Sequence, residues 1–197
     1  MSGDTGSGAI IWWVSQQPPS ATSAPALRAI IADRAAVLAQ QSRDIPSDPI
    51  STLLTQHEDR IRVAVYAMLS ASNLLGENGG GVAEVAEGIK ETAAVAYFAE
   101  AQMAFRSKTW RFIFGGDQAA ASQLASYAQQ LGVQDQQLGV LLATCTGCDP
   151  GAVAILEEQL AVLEKEQQRL AQVAQDEAAD GGVLGSFGSM FGSSTQE

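Results

Sequence analysis

The sequence predicts an all-α protein of about five helices, in which an N-terminal helical bundle is followed by a long antiparallel, coiled-coil-like hairpin. Three observations lead to this fold class. Apolar residues recur at steps of three and four over most of the chain, while runs of the strand-favouring residues Val, Ile, Thr and Tyr are scarce. Aspartate and glycine signals for helix starts and stops separate the periodic stretches. Aromatic residues make up only 6% of the chain and alanine is abundant, which favours closely packed helices.

The chain is predicted to divide into four segments. Residues 1–23 form an arm with a tryptophan patch, residues 24–116 the helical bundle, residues 117–182 the hairpin and residues 183–197 a Gly/Ser-rich tail. The arm is interpreted either as a flexible tail whose tryptophans fold back on the core, or as an anchor for a partner or a membrane interface. The tail is either disordered or a docking peptide.

Two helices make up the first part of the predicted bundle. The first begins at Pro25, since proline is tolerated in a first helical turn, and runs to about Gln41. The second begins at residues 48–49, an aspartate N-cap followed by proline, and stops near Gly76. His57 lies on its apolar face, where a lone histidine is more often an interior or boundary residue than a ligand.

The third helix follows a glycine turn at residues 77–81 and carries a stripe of mostly small residues, which allow neighbouring helices to approach closely. We predict that it ends at Phe114, because the glycines at 115 and 116 supply the left-handed cap that glycine tolerates. Most carboxylates on this helix and on the last one are expected to lie on solvated faces. Glu84, Glu87 and Glu91 step by three and four along one side of this helix.

Two apolar series with heptad-like spacing, separated by one short loop, predict the hairpin. Asp117 caps its first helix, and Asp149 followed by proline opens the second. Gly132 costs about 1 kcal/mol relative to alanine inside a helix, but the leucine register continues across it, so we predict no break. Gln134 and Gln167 interrupt the two series, and buried amides of this kind can fix helix register. The apolar series are Leu124, Tyr127, Leu131, Leu138 and Leu141, and then Val153, Leu156, Leu160, Leu163, Leu170 and Ala174.

Both cysteines lie in the loop of the hairpin, as Cys145-x-x-Cys148. This spacing allows a small disulfide, a redox dithiol or half of a zinc site. A zinc site within one chain would also need His57 and a carboxylate, whereas a dimer could supply four cysteines. The strands of a thioredoxin-like context are missing, although Cys148 adjoins a helix N-terminus that could lower its pKa. A disulfide, free thiols, redox chemistry and zinc all remain open, and we assign no catalytic residue and no cofactor.

One short segment departs from the acidic character of the chain, because basic and aromatic residues alternate near the predicted end of the third helix. It is interpreted either as an aromatic plug closing the bundle or as an attachment surface for anionic lipid or an acidic partner. With the tryptophan patch it supplies the candidate interaction residues. They are Trp12, Trp13, Arg106, Lys108, Trp110, Arg111, Phe112 and Phe114.

The net charge of −11 makes nucleic-acid binding over a broad face improbable, since such a surface repels phosphates. No segment approaches the roughly 20 apolar residues that cross a bilayer, and no signal peptide is visible. The expected location is therefore intracellular by default, or extracytoplasmic if a signal was removed. We predict a structural or protein-interaction role with a protein partner or self-association. The alternatives are a membrane-peripheral protein and a redox- or metal-responsive protein acting through the cysteine loop.

Residues 57–182 contain a characteristic order of features: a basic-apolar run at 60–65, a glycine turn into a helix, an aromatic-Gly-Gly-Asp junction at 112–117 and a Gln/Glu-rich hairpin. This order resembles an uncharacterised family of helical archaeal proteins. The resemblance implies an all-helical fold and no known activity. Members of that family often start with an export signal and end in a Gly-Trp-type motif. Neither is present here, which puts an extracytoplasmic location in doubt.

Overall fold

A computed structural model describes residues 18–44, 49–106 and 115–180, and no strand occurs among these residues. They form five α-helices with two short 3-10 turns between the second and third. The predicted all-α class with about five helices is therefore confirmed. The helices are α1 (Ala24–Asp44), α2 (Pro49–Ala71), α3 (Gly79–Ala104), α4 (Gln118–Ala143) and α5 (Pro150–Ala179).

Helices α2 to α5 pack as an antiparallel four-helix bundle, because each contacts the next in sequence and α5 returns to pack against α2. Helix α1 lies outside this group, against α2 and α5. One continuous hydrophobic core contains residues of all four bundle helices, among them Ile61, Ile89, Leu131 and Leu163. The α4–α5 hairpin thus supplies half of the bundle in which it lies.

The predicted caps of the hairpin helices are confirmed. Asp117 accepts a hydrogen bond from the Ala120 N–H at 3.0 Å, which satisfies a free donor of the first turn of α4. Asp149 accepts from the N–H groups of Gly151 and Ala152 at 2.8 and 3.1 Å, and proline follows it at the start of α5. Helix α4 is continuous through Gly132, as the leucine register predicted.

The predicted limits of α3 were wrong at both ends. The helix ends at Ala104 and not at Phe114, since Phe105 leaves helical geometry with ψ of 0°. At the other end the helix already begins at Gly79, inside the predicted glycine turn. A Cβ at Gly79 would lie 2.0 Å from the carbonyl oxygen of Ser72, so only glycine lets the chain turn this tightly into α3.

The buried faces of α4 and α5 are rotated slightly from the predicted seams. Ala128, Asp135 and Glu166 are buried, whereas their neighbours Gln134 and Gln167 are only partly covered. A straight helix has 3.6 residues per turn and drifts relative to a heptad pattern. Helix α4 also packs against α3, which widens the arc of its surface that is covered. Two carboxylates, Asp135 and Glu166, therefore lie on the buried faces of these helices.

Candidate functional site

The cysteine loop lies at one end of the bundle, against the connection between α2 and α3. Cys145 and Cys148 are joined as a disulfide, with 5.8 Å between their Cα atoms. Their sulfur atoms lie 3.6 and 3.1 Å from the carbonyl oxygen of Leu75. The N–H of Asp149 donates to the carbonyl oxygen of Leu74 at 2.9 Å, so the main chain also joins the two connections. No group of three or more His, Cys, Asp or Glu side chains is placed to hold a metal in the part of the chain that the structure describes.

A network of charged side chains crosses the bundle at the level of His57. The carboxylate of Glu166 on α5 is 3% exposed and lies 2.9 Å from His57 Nδ1. Arg60 of α2 and Arg169 of α5 donate to the same carboxylate at 2.9 and 2.8 Å. Arg169 also binds both oxygens of Glu100 on α3, at 2.5 and 2.9 Å. The network therefore links α2, α3 and α5, and it places His57 at a paired boundary position.

The electrostatics of this network favour the ionised state of its carboxylate. Burial raises the pKa of Glu166, but hydrogen bonds from His57, Arg169 and Arg60 outweigh burial and hold this pKa below its ordinary value. Burial likewise lowers the pKa of Arg169, and its bonds to Glu100 and Glu166 more than compensate, so that this pKa is raised. Every charge in the network has an opposite partner, which makes it a structural clamp between helices.

Asp135 is the contrasting case, a buried carboxylate on α4 with no hydrogen-bond donor on either oxygen. Its side chain is 5% exposed and belongs to the buried face of α4. The pKa of Asp135 is raised to about 7, mainly because the group is buried and to a smaller extent because the carboxylate of Glu164 on α5 is nearby. The group is therefore poised between its neutral and charged forms near neutral pH.

An apolar groove lies on the outer side of the α3–α4 pair, with a volume of 820 Å³. Its walls include Val133 and Val140, which are 50% and 62% exposed and one heptad apart on α4. The two helices that form the groove, α3 and α4, approach each other closely. A Cβ at Gly88 would lie 2.8 Å from the amide nitrogen of Gln134, and one at Gly81 would lie 3.2 Å from Leu141. We call this feature the α3–α4 groove. It is lined by Gly81, Glu84, Val85, Gly88, Val133, Gln134, Gln136, Gln137, Val140 and Leu141.

Of the predicted interaction residues, the structure places Arg106. Its guanidinium lies 3.4 Å from Asp117 and joins the end of α3 to the cap of α4. The remaining candidates, and with them the residues on which membrane attachment was predicted, lie outside the described residues. They are Trp12, Trp13, Lys108, Trp110, Arg111, Phe112 and Phe114. No described helix combines the length and hydropathy that a bilayer crossing requires.

The carboxylates Glu166 and Asp135 were not singled out as site residues, although a signal for both was present. Each lies three or four residues from leucines of its own series, Glu166 between Leu163 and Leu170 and Asp135 between two others. Such positions fall on the buried face of a helix even when the residue is polar. Most carboxylates of α3 and α5 are exposed, as expected, and the buried exceptions on these two helices are Glu100, Glu166 and Glu177.

The chain was compared with known proteins. No protein family, curated protein or solved structure matches the chain. The resemblance to the helical archaeal family stays a prediction.

Proposed function

We propose that this chain is a non-catalytic interaction protein whose α4–α5 hairpin, together with α3, presents a binding surface to a protein partner. The observation that carries the proposal is the α3–α4 groove. Val133 and Val140 are exposed at heptad spacing along it, which is the spacing with which a helix meets a second helix. The buried polar network supports the same reading, since its charges are paired with one another and act between the helices.

Methyl NMR of the purified protein tests this proposal. The exposed methyl groups of Val133 and Val140 should shift when a partner covers them, either as protein concentration rises or as helical peptides are added. Buried Val65 of α2 serves as the internal control. Unchanged methyl signals for both groove valines across concentrations and peptides would contradict the proposal.

A second candidate function is a redox-responsive role for the cysteine loop. It is favoured by the position of both sulfur atoms against the Leu75 carbonyl oxygen, where the loop meets the α2–α3 connection. Reduction by a small thiol would cleave the sulfur–sulfur bond, yield two thiols and leave the reductant as its disulfide. Light scattering with and without reductant tests whether this change alters assembly. A mass unchanged by reductant would count against the candidate.

A further inference from the structure

We propose that the α3–α4 groove binds an amphipathic helix of a different protein, with basic residues along one edge of its apolar stripe. The inference rests on the proposed function and names the partner class. A groove with valines at heptad spacing could bind either a second copy of this chain or another protein. The charges around the groove decide between them.

The exposed surface of α3 and α4 has a shape that suits a bound helix. Val85 lines the groove on α3, and Val95 lies one heptad beyond Gly88 on the same exposed stripe, 43% exposed. From Gly81 to Val95 this edge is about 21 Å long at the rise of an α-helix. Val133 and Val140 form the opposite wall over one heptad, so the apolar surface extends over about one heptad on α4 and about two on α3. That length suits a helix lying in the groove.

The α3 and α4 edges of the groove differ in charge. Glu84 lines the groove on α3, and Glu91 is exposed one heptad further along the same edge. The α4 edge carries the uncharged amides of Gln136 and Gln137. The surface is thus acidic along one side and neutral along the other. A helix with lysine or arginine on one edge of its apolar stripe would place those cations beside the two glutamates.

The charge of the chain also distinguishes between a different protein and a second copy of this chain as the occupant of the groove. The chain carries a net charge of −11, so two copies repel each other before any contact forms. A two-fold dimer through this groove would bring two acidic α3 edges into one interface. Like charges placed together cost binding energy, whereas a basic helix gains from the same field. The charge distribution therefore favours a heterologous, cationic partner.

Fluorescence anisotropy with the full chain tests the proposal. The probe is a labelled synthetic helix of about 18 residues, long enough to span the groove, made of leucine, alanine and lysine with lysine on one edge. Its matched control carries glutamate in place of lysine. The lysine peptide should bind, and binding should weaken as salt is raised, because the acidic edge is exposed.

Variants of the chain locate the binding site. Val140→Glu should weaken binding of the lysine peptide by about tenfold or more, since it places a charge in the apolar contact. Glu84→Gln with Glu91→Gln should weaken binding by roughly threefold to tenfold at low salt. Asp33→Asn with Glu157→Gln removes the same charge from exposed positions on α1 and α5 and should leave binding unchanged. All five positions are solvent-exposed, and circular dichroism checks that the variants remain folded.

The outcomes separate this inference from the proposed function. Equal binding of the glutamate peptide, or binding insensitive to Val140→Glu, overturns the inference. If neither peptide binds but the chain forms a dimer that Val140→Glu dissociates, the occupant is a second copy; the inference fails and the proposed function stands. If neither peptide binds and the protein is monomeric with or without the substitution, both fail.

Discussion

Replacing Asp135 by asparagine should make the protein more stable at alkaline pH and change little at acidic pH. Folding raises the pKa of this carboxyl from 3.8 to about 7, so the folded protein binds its proton more tightly than the unfolded chain does. Stability from this group is therefore greatest below the unfolded value. The contribution of Asp135 to the free energy of unfolding declines as the pH rises from 3.8 through about 7. Above about pH 7 this contribution no longer changes.

The size of the effect follows from the same two values. The difference between the folded and unfolded pKa of Asp135 corresponds to roughly 4 kcal/mol of lost stability at alkaline pH. About 3 kcal/mol of this loss develops between pH 5 and pH 8. Asparagine has nearly the shape of the neutral acid and does not ionise. The advantage of Asp135→Asn over the natural chain should therefore grow by about 3 kcal/mol over this range.

Urea unfolding followed by circular dichroism at pH 5 and pH 8 measures this difference. Groups common to both proteins contribute equally, so their contributions cancel when the variant is compared with the natural chain. Asp33→Asn, an exposed change on α1, is the matched control and should show no such growth. Glu164→Gln should show a smaller effect of the same sign, since it removes only the neighbouring charge. An Asp135→Asn advantage that is equal at both pH values would refute the reasoning.

Three further predictions concern the clamp, the tight turn and the cysteine loop. Glu166→Gln should destabilise the protein at neutral pH by about 3 kcal/mol, because it removes the buried carboxylate that joins His57 and Arg60 of α2 to Arg169 of α5. The natural chain should lose that stability as the pH falls through the lowered pKa of Glu166, which urea unfolding below pH 5 would show. Gly79→Ala should lower the melting temperature through a backbone clash, whereas Gly80→Ala, with no atom within 4 Å, should raise it by adding about 1 kcal/mol of helix propensity. Cys145→Ser with Cys148→Ser should cost about 2 kcal/mol, as expected for so short a loop, and the cost should vanish in reductant.

Contradicting results differ for each of these three. A Glu166→Gln variant as stable as the natural chain would show that the clamp contributes nothing net. Equal melting temperatures for the two alanine variants would place free space beside Gly79. A cysteine double variant that loses the same stability with and without reductant would show that the loss comes from packing and not from the sulfur–sulfur bond.

Local signals predicted much of the fold. The aspartates at 117 and 149 cap helices because a short carboxylate reaches the free N–H groups of a first turn, which is a matter of a few neighbouring residues. Gly115 has the left-handed conformation that was predicted for it, with φ of +78°, although α3 ends well before it. Each of these features depends on atoms close together in the sequence, so a single chain suffices to predict it.

The charged network and the α3–α4 groove depend on contacts between residues that are distant in the sequence. For this reason the sequence did not predict them. Glu166 bonds to His57 across 109 positions, and nothing local identifies that partner. The groove arises because the small residues of α3 meet Gln134 and Leu141 of α4. The sequence predicts that glycine and alanine allow close packing, but not which helix packs there. The early end of α3 at Ala104 likewise depends on main-chain geometry that no strong breaker announces.

The main-chain bonds between connections allow the two ends of the bundle to be observed separately. At the cysteine end, the Asp149 amide donates to Leu74; at the other end, the Gly116 amide donates to the Asp180 carbonyl oxygen at 2.6 Å. Each amide exchanges its hydrogen with water only when its own end opens. Deuterium uptake at these two positions therefore reports, in one experiment, which end of the bundle loosens first when the protein is reduced, acidified or bound to a partner.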